Sequence, residues 1–548
     1  MSHDDPAEQF LRPPNTEEEY PPQYRQPSNY SPLYTFRLPP GEKRHYQQQY
    51  ADLYFVRLAR LKEAAAEQAL ADWSDAEIAG EKARRVDRVL DVRQGEFCWV
   101  IGTVYMDLPL KPNILEDISK EHFTSLPPPR ETYHDTSNQG DVQTMLEDES
   151  GRLRLTCTAL HSPMLVTGAI IAVLGTENAN GDFEAIDIRL PDLPPQPVRW
   201  QHEPKDSSKR KRGQAETEGG RRKKIALVSG LGISGESGDT VTLTLLADFL
   251  LGYGEGIGIA EDDSSPTRST QISRLIIAGN TLGGEVTAAV ALEDAISMTK
   301  KGRETKKYKY DASDYNASPI THLDNFLAEV LPSIPVTIMP GATDPANFSL
   351  PQQEIHRALF LRSRNYCCLP HPGADEPPEF GWLDTVTNPW QGDIEGWRFW
   401  GCSGQNVDDV LRYLNPEEDI TKNSRDREGD TRLQVMEAML RWRCAVPTAP
   451  DTLWCYPFQD YDPFILEDCP HVFFIGNQPT FRTAVVETYP SEAMDLEGTE
   501  NGSRVRLLCL PKFRETGELI LLDAETLEVE VIKFETLKAK KMEEEEEE

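Results

Sequence analysis

The chain has 548 residues, 38% of them hydrophobic, which is enough for two or three domains with their own cores while leaving much of the length to loops and tails. Its formal net charge of −34 repels nucleic acid unless a local basic stripe overrides the global field, and long-range steering favours a basic protein partner. No apolar run approaches the ~20 residues that span a bilayer, and the start at Met1–Asp5 lacks the basic and apolar regions of a secretory signal, so a soluble intracellular protein with no membrane partner is expected.

The nine cysteines include no Cys-x-x-Cys pair, which points to buried reduced thiols rather than zinc or iron–sulfur ligation. The ten histidines show no metal spacing either. His471 precedes an apolar strand and His371 lies between prolines, and both read as structural. No cofactor is expected.

Residues 1–43 are rich in Pro, Tyr, Gln and Glu and predict a flexible, extended arm. From Arg44 to Ala71 the apolar positions take a helical period. The period then becomes two. Strands are expected at Phe97–Tyr105, on both sides of a Ser150-Gly151 turn within Met145–Cys157, at Leu165–Leu174, and at Phe183–Ile188 after an Asn180-Gly181 turn. Five short strands in this order suit a small OB-type barrel within residues 44–200, with 108–141 as an inserted loop.

Residues 201–224 form a basic linker. Lys209, Arg210, Lys211 and Arg212, then Arg221, Arg222, Lys223 and Lys224 after a spacer, have the arrangement of a bipartite nuclear import signal, which would place the protein in the nucleus. The same tract also reads as a solubilising insertion or as a weak DNA contact.

Strands and helices alternate from Ile225 onward. Strands are expected at Ile225–Ser229, Leu275–Ala278 and Val336–Met339, and helical stretches at Val241–Leu251, Val286–Ser297 and Thr321–Leu331. Thr299–Ala317 and Glu417–Thr431 read as charged, mobile insertions. Arg504–Leu510 and Leu519–Phe534 are strand-rich and would close the second sheet of a domain over 225–536, before a charged, acidic tail at 537–548.

Four strand-to-loop junctions in this second half resemble those of a calcineurin-like metallophosphoesterase. An active member of that group would carry Asp-x-His, Gly-Asp-x-x-Asp, Gly-Asn-His-Asp and Gly-His-x-His in turn. Here the slots hold Gly230 and Gly232, then Asn280 and Gly283, then Ala342, Thr343 and Asp344, and finally Asn477 and Pro479. A two-metal hydrolase needs several Asp and His ligands around ions ~3.5–4 Å apart. Only Asn280 and Asp344 retain donors suited to the aligned ligand slots. The resemblance therefore implies a retained fold without catalysis and without metal. The glycines suit close approach of backbone or of a partner, and equally suit tight strand-to-helix turns.

Two longer strings narrow the resemblance, Asn388–Val410 and Thr448–Pro457 leading into Asp468–Phe481. With Ser229–Gly232 and Ala278–Thr281 they resemble the small (second, B-type) subunit of eukaryotic DNA polymerase delta, over roughly residues 44–200 and 225–535. The implied fold class is α+β (mixed), an N-terminal OB-fold β-barrel packed on an α/β calcineurin-like metallophosphoesterase-type β-sandwich. The implied role is a non-catalytic scaffold in DNA replication and repair. It bridges the catalytic subunit's C-terminal cysteine-rich module and an elongated third subunit that binds the sliding clamp, so the clamp is an indirect partner. A translesion polymerase holding a similar module is a further implied partner.

Trp390, Trp397, Phe399 and Trp400 form an aromatic cluster suited to a binding hot spot or, more commonly, to core packing. Two other functions remain open from the residues alone. One is a single-metal phosphoesterase built on Asn280, Asp344 and Asn477. The other is a single-strand DNA-binding barrel using Trp99, Tyr105 and Phe183, whose surroundings are acidic.

Overall fold

The computed structural model describes residues 25–41, 44, 51–78, 80–112, 130–135, 142–156, 164–199, 223–235, 240–253, 268–283, 317–367, 381–414, 427–488 and 502–535. The expected helix at Val286–Ser297 and the insertion at 299–316 lie outside them, as do His371 and the tail. Among the described residues no helix is long and apolar enough to cross a membrane.

Strand β1 (Tyr30–Leu33) precedes helix α1 (Ala51–Trp73), a short hairpin of β2 (Glu77–Ile78) and β3 (Glu81–Lys82), and β4 (Arg84–Val86). A five-stranded barrel follows, made of β5 (Phe97–Asp107), β6 (Gln143–Glu147), β7 (Arg152–Thr156), β8 (Ile170–Glu177) and β9 (Asp182–Arg189). The ladder runs β5-β6-β7-β9-β8 and returns to β5, with β7 and β9 parallel and the other pairs antiparallel. Closure leaves the barrel no free edge. The strand expected from Leu165 begins at Ile170, because the preceding residues form a turn at Thr167-Gly168.

Alternating residues of β5 divide between two cores. Cys98, Val100 and Val104 point into the barrel, whereas Phe97, Trp99 and Ile101 meet Leu58, Leu61, Ala65, Ala69 and Trp73 of α1.

The second half holds two six-stranded sheets. The first contains β14 (Trp390–Ile394), β15 (Trp397–Cys402), β16 (Val472–Gln478), β17 (Arg482–Glu487) and β18 (Arg504–Pro511), in the order β1-β14-β15-β16-β18-β17. The second contains β10 (Lys224–Val228), β11 (Ile272–Ala278), β12 (Val336–Met339), β13 (Leu383–Thr385), β19 (Glu518–Asp523) and β20 (Val529–Lys533), in the order β13-β12-β11-β10-β19-β20. Ile225, Leu227 and Ile276 face Trp390, Phe399, Phe474 and Leu508 across a shared core. The outer face of the second sheet is covered by α2 (Thr240–Leu251) and α3 (Ser318–Val330). That of the first is covered by α4 (Gln405–Tyr413) and α5 (Arg427–Arg441), in a core continuous with the barrel interior.

Four expectations change. The strands after Arg504 divide between the sheets, since β18 lies between β16 and β17 while β19 and β20 extend the other sheet from β10. Residues 427–431, expected in a mobile insertion, start α5. Residues 25–41, expected in the arm, are docked. β1 pairs antiparallel with β14, and Phe36 is buried against Trp400 and Phe464. Lys223 and Lys224, expected in the linker, are tied into the fold by Glu395 and Glu530, with Lys224 opening β10.

Barrel and sandwich are joined by a buried ion pair. Arg57 on α1 donates through Nε to Asp462 at 2.7 Å and through Nη1 to the carbonyls of Pro447 and Ala449 at 2.8 and 2.9 Å. Both charged side chains are essentially excluded from water. Removing one charge strands the other. Arg57→Met is expected to cost about 3–5 kcal/mol in urea denaturation, with a substantial part regained in Arg57→Met/Asp462→Leu. A single-variant cost below about 1 kcal/mol would place the pair among those of no structural weight.

His471 is a second buried polar tie. Its Nδ1 accepts from the Arg398 backbone N–H at 3.0 Å, and its ring packs on Trp397. Burial, reinforced by the neighbouring Arg398 charge, holds the imidazole at about 4 against an ordinary 6.5. The unfolded chain then binds the proton more readily, so stability is complete above pH 6.5 and is lost as pH falls towards 4. Thermal unfolding across that window should show a loss approaching 1.4 kcal/mol per pH unit. His471→Gln should flatten this acid limb, and an unchanged limb would assign it to other groups.

Candidate functional site

The C-terminal ends of β10, β11 and β12 lie side by side because the three strands are parallel, and such an edge is where open α/β sheets usually place their ligands. β16 of the facing sheet ends against them. Gly230 donates its N–H to Gly279 O at 3.0 Å, Gly232 to Asn280 O at 3.1 Å and Gly283 to Ile233 O at 3.1 Å. Asn477 donates through Nδ2 to Ala278 O and Ser403 O, and its backbone N–H reaches Ser229 Oγ. The four junctions singled out in the sequence thus converge on one spot.

What converges is closely packed backbone. Gly230 has φ +61°, and a Cβ there would stand 2.8 Å from Asn477 Oδ1 and 3.0 Å from Lys512 Cα. A Cβ on Gly283 would meet the Gly232 backbone at 2.6 Å. Aspartate or histidine in these slots would require the loops to separate. Asn280 and Asn477 also have positive φ, at 51° and 59°, a conformation asparagine tolerates better than most residues. Ala342, Thr343 and Pro479 are exposed at the rim. Thr343 bonds to Asn280 Oδ1 through its N–H and to Leu282 O through its hydroxyl.

Asp344 is the one carboxylate brought to the centre, and its oxygens are already occupied. They accept from Thr281 N at 3.1 Å, Leu282 N at 2.9 Å, Gly341 N at 2.8 Å and the Thr281 hydroxyl. Burial pushes this carboxyl above the ordinary range, against the pull of those hydrogen bonds. Its geometry is that of a clamp between the second and third loops. Asn280 and Asn477 bring amide groups without charge, and beside one saturated carboxylate they form a poor ligand set for a divalent ion. Among the described residues no group of three or more His, Cys, Asp or Glu is disposed to hold a metal.

The other sequence-derived positions fall elsewhere. Trp390, Phe399 and Trp400 are core residues, and half-buried Trp397 donates to Ala524 O. Trp99 is covered by Trp73 of α1 and Phe183 fills the barrel, so neither presents a face for base stacking. Half-buried Tyr105 lies beneath Lys111 and Arg152. Of the import-signal positions, Lys209, Arg210, Lys211, Arg212, Arg221 and Arg222 lie outside the described residues. Sequence reasoning missed Ser229, Gly341 and Ser403, which stitch the loops together. Ser229 stood beside a marked slot, but nothing in its spacing indicated that its hydroxyl would reach Leu510 O and Pro511 O.

Asp344→Asn places an amide N–H against backbone donors, and each unmade bond to a buried group costs about 1–3 kcal/mol. A lowered Tm is expected, with Mn²⁺ or Zn²⁺ leaving the parent Tm unchanged. A metal-dependent rise in Tm that this substitution removes would reinstate a metal centre.

A family model for the B-type subunit of DNA polymerases alpha and epsilon matches residues 225–483, and one described as DNA polymerase delta subunit OB-fold domain matches residues 49–188. The chain is 33% identical to the DNA polymerase delta small subunit of Saccharomyces cerevisiae, over 90% of this chain and 91% of that one. It is 32% identical to the DNA polymerase delta small subunit of Oryza sativa subsp. japonica, over 90% and 95%. It is 31% identical to DNA polymerase delta subunit 2 of Drosophila melanogaster, over 89% and 94%.

Proposed function

Because the chain belongs to the family of DNA polymerase delta small subunits, we propose that it is the non-catalytic scaffold of such a polymerase. It holds the catalytic subunit's C-terminal cysteine-rich module on one side and an elongated, clamp-binding third subunit on the other, so that the sliding clamp is reached indirectly. A translesion polymerase with a similar module is a second client. The site of action is the nucleus, reached through the basic tract at 209–224, and any DNA contact by that tract is weak. The sandwich is a phosphoesterase-like fold kept for its surface.

One observation carries the absence of catalysis: the carboxylate at the strand ends is consumed by four internal hydrogen bonds, and glycines fill the slots around it. Hydrolysis of a phosphodiester needs a polarising ion or an available acid and base. Asp344 serves the loops instead. A scaffold also benefits from one stiff body, and the buried Arg57–Asp462 pair supports that requirement.

Co-expression of the full chain with the cysteine-rich module and the third subunit, followed by size exclusion with light scattering, tests the reading. A 1:1:1 complex that survives moderate salt is the expected outcome. Elution as three separate species would remove the bridging role.

A further inference from the structure

Within the described fold of this acidic chain, the stretch between Ile355 and Cys367 stands out in carrying three arginines and no Asp or Glu. Arg357, Arg362 and Arg364 are exposed, and among the described residues their side chains form neither ion pairs nor hydrogen bonds. Most other arginines of the described fold are engaged, as Arg37 is with Glu354 and Arg398 with Asp393.

The segment that carries them is firmly held. Ile355 and Phe360 are buried in the core beneath α3. Asp324 of α3 accepts from the backbone N–H groups of Arg362 and Ser363 at 2.7 and 2.9 Å, and Ser363 Oγ bonds to Asp324 O. His356 Nδ1 caps the first turn by accepting from Ala358 N. The guanidinium groups therefore project from a backbone ordered in advance, which lowers the entropic cost of binding.

Two apolar side chains accompany them. Leu361 is 71% exposed between Arg357 and Arg362, and Trp382 is 40% exposed. Cys367 bridges Leu383, which brings Trp382 to the end of the same turns. Arginine and tryptophan are the residues most enriched at binding hot spots. We propose that the surface formed by Arg357, Leu361, Arg362, Arg364 and Trp382 docks an acidic protein segment that also carries apolar side chains. Charge complementarity sets the sign of the partner. The outward leucine, which has no counterpart among phosphates, selects a peptide over nucleic acid. The surface is independent of the polymerase assignment.

Fluorescence anisotropy with the full chain tests this against three probes: a short peptide alternating Asp or Glu with Leu or Phe, a polyglutamate of equal length, and a short oligothymidylate. The alternating peptide should bind, and Arg357→Ala/Arg362→Ala/Arg364→Ala should weaken it about tenfold without changing Tm. Leu361→Ala should weaken it several-fold, and polyglutamate should bind less tightly than the mixed peptide. Equal binding by parent and triple variant, equal binding of polyglutamate, or tighter binding of oligothymidylate that the triple variant abolishes would each overturn the proposal. So would about tenfold stronger peptide binding after Asp375→Asn/Glu376→Gln/Glu379→Gln, which would make the chain's own carboxylates the competitor for these arginines.

Discussion

Arg57 decides how this chain is assembled. A guanidinium without water depends on partners within the protein, and Arg57 finds one carboxylate and two carbonyls through Nε and Nη1, all contributed by residues 447–462 of the other half, while its Nη2 is buried without one. The helix carrying it also covers one side of the barrel through Leu58, Leu61 and Ala65. Helix, barrel and sandwich are consequently fixed relative to one another. A Cβ on Gly168 would fall 1.9 Å from Pro447 O, so the barrel presses against the same segment of the sandwich.

The loops at the strand ends follow a comparable logic on a smaller scale. In a two-metal hydrolase, metal ions hold neighbouring loops together through several carboxylates and imidazoles. Here the cohesion comes from backbone hydrogen bonds between loops and from one saturated carboxylate. Glycine is required because the backbones approach to within hydrogen-bond distance, and only a residue without Cβ allows that at Gly283 and Gly230. Glycine in the slots and close packing of the loops are thus two descriptions of one arrangement.

The barrel was legible because its signals are local: period-two runs, a Ser150-Gly151 turn and an Asn180-Gly181 turn, each readable within a dozen residues. The parallel strands Ile225–Val228, Leu275–Ala278 and Val336–Met339 were legible as apolar runs for the same reason. Long-range partnerships were not. Nothing within β1 announces that it will pair with Trp390–Ile394, and its proline-rich flanks read as an arm. At the junctions the residue types were plain and their convergence was borne by family resemblance. Most of the hydrogen bonding of Asp344 was invisible, since all its donors but Gly341 N lie about 60 positions away in Thr281 and Leu282.

The docking of β1 has a consequence for how the protein is made. Tyr30 bonds to Asp384, 354 positions further along, and its strand completes the first sheet only once β14 exists. At ~5–20 residues per second, a ribosome exposes that N-terminal strand for tens of seconds before its place has been synthesised. Throughout that interval the nascent chain carries an unpaired strand, and β14 on emerging offers an open edge until β1 fills it. Closing the sheet is therefore a late event in the birth of the molecule, assigned to a segment that leaves the ribosome long before its partner.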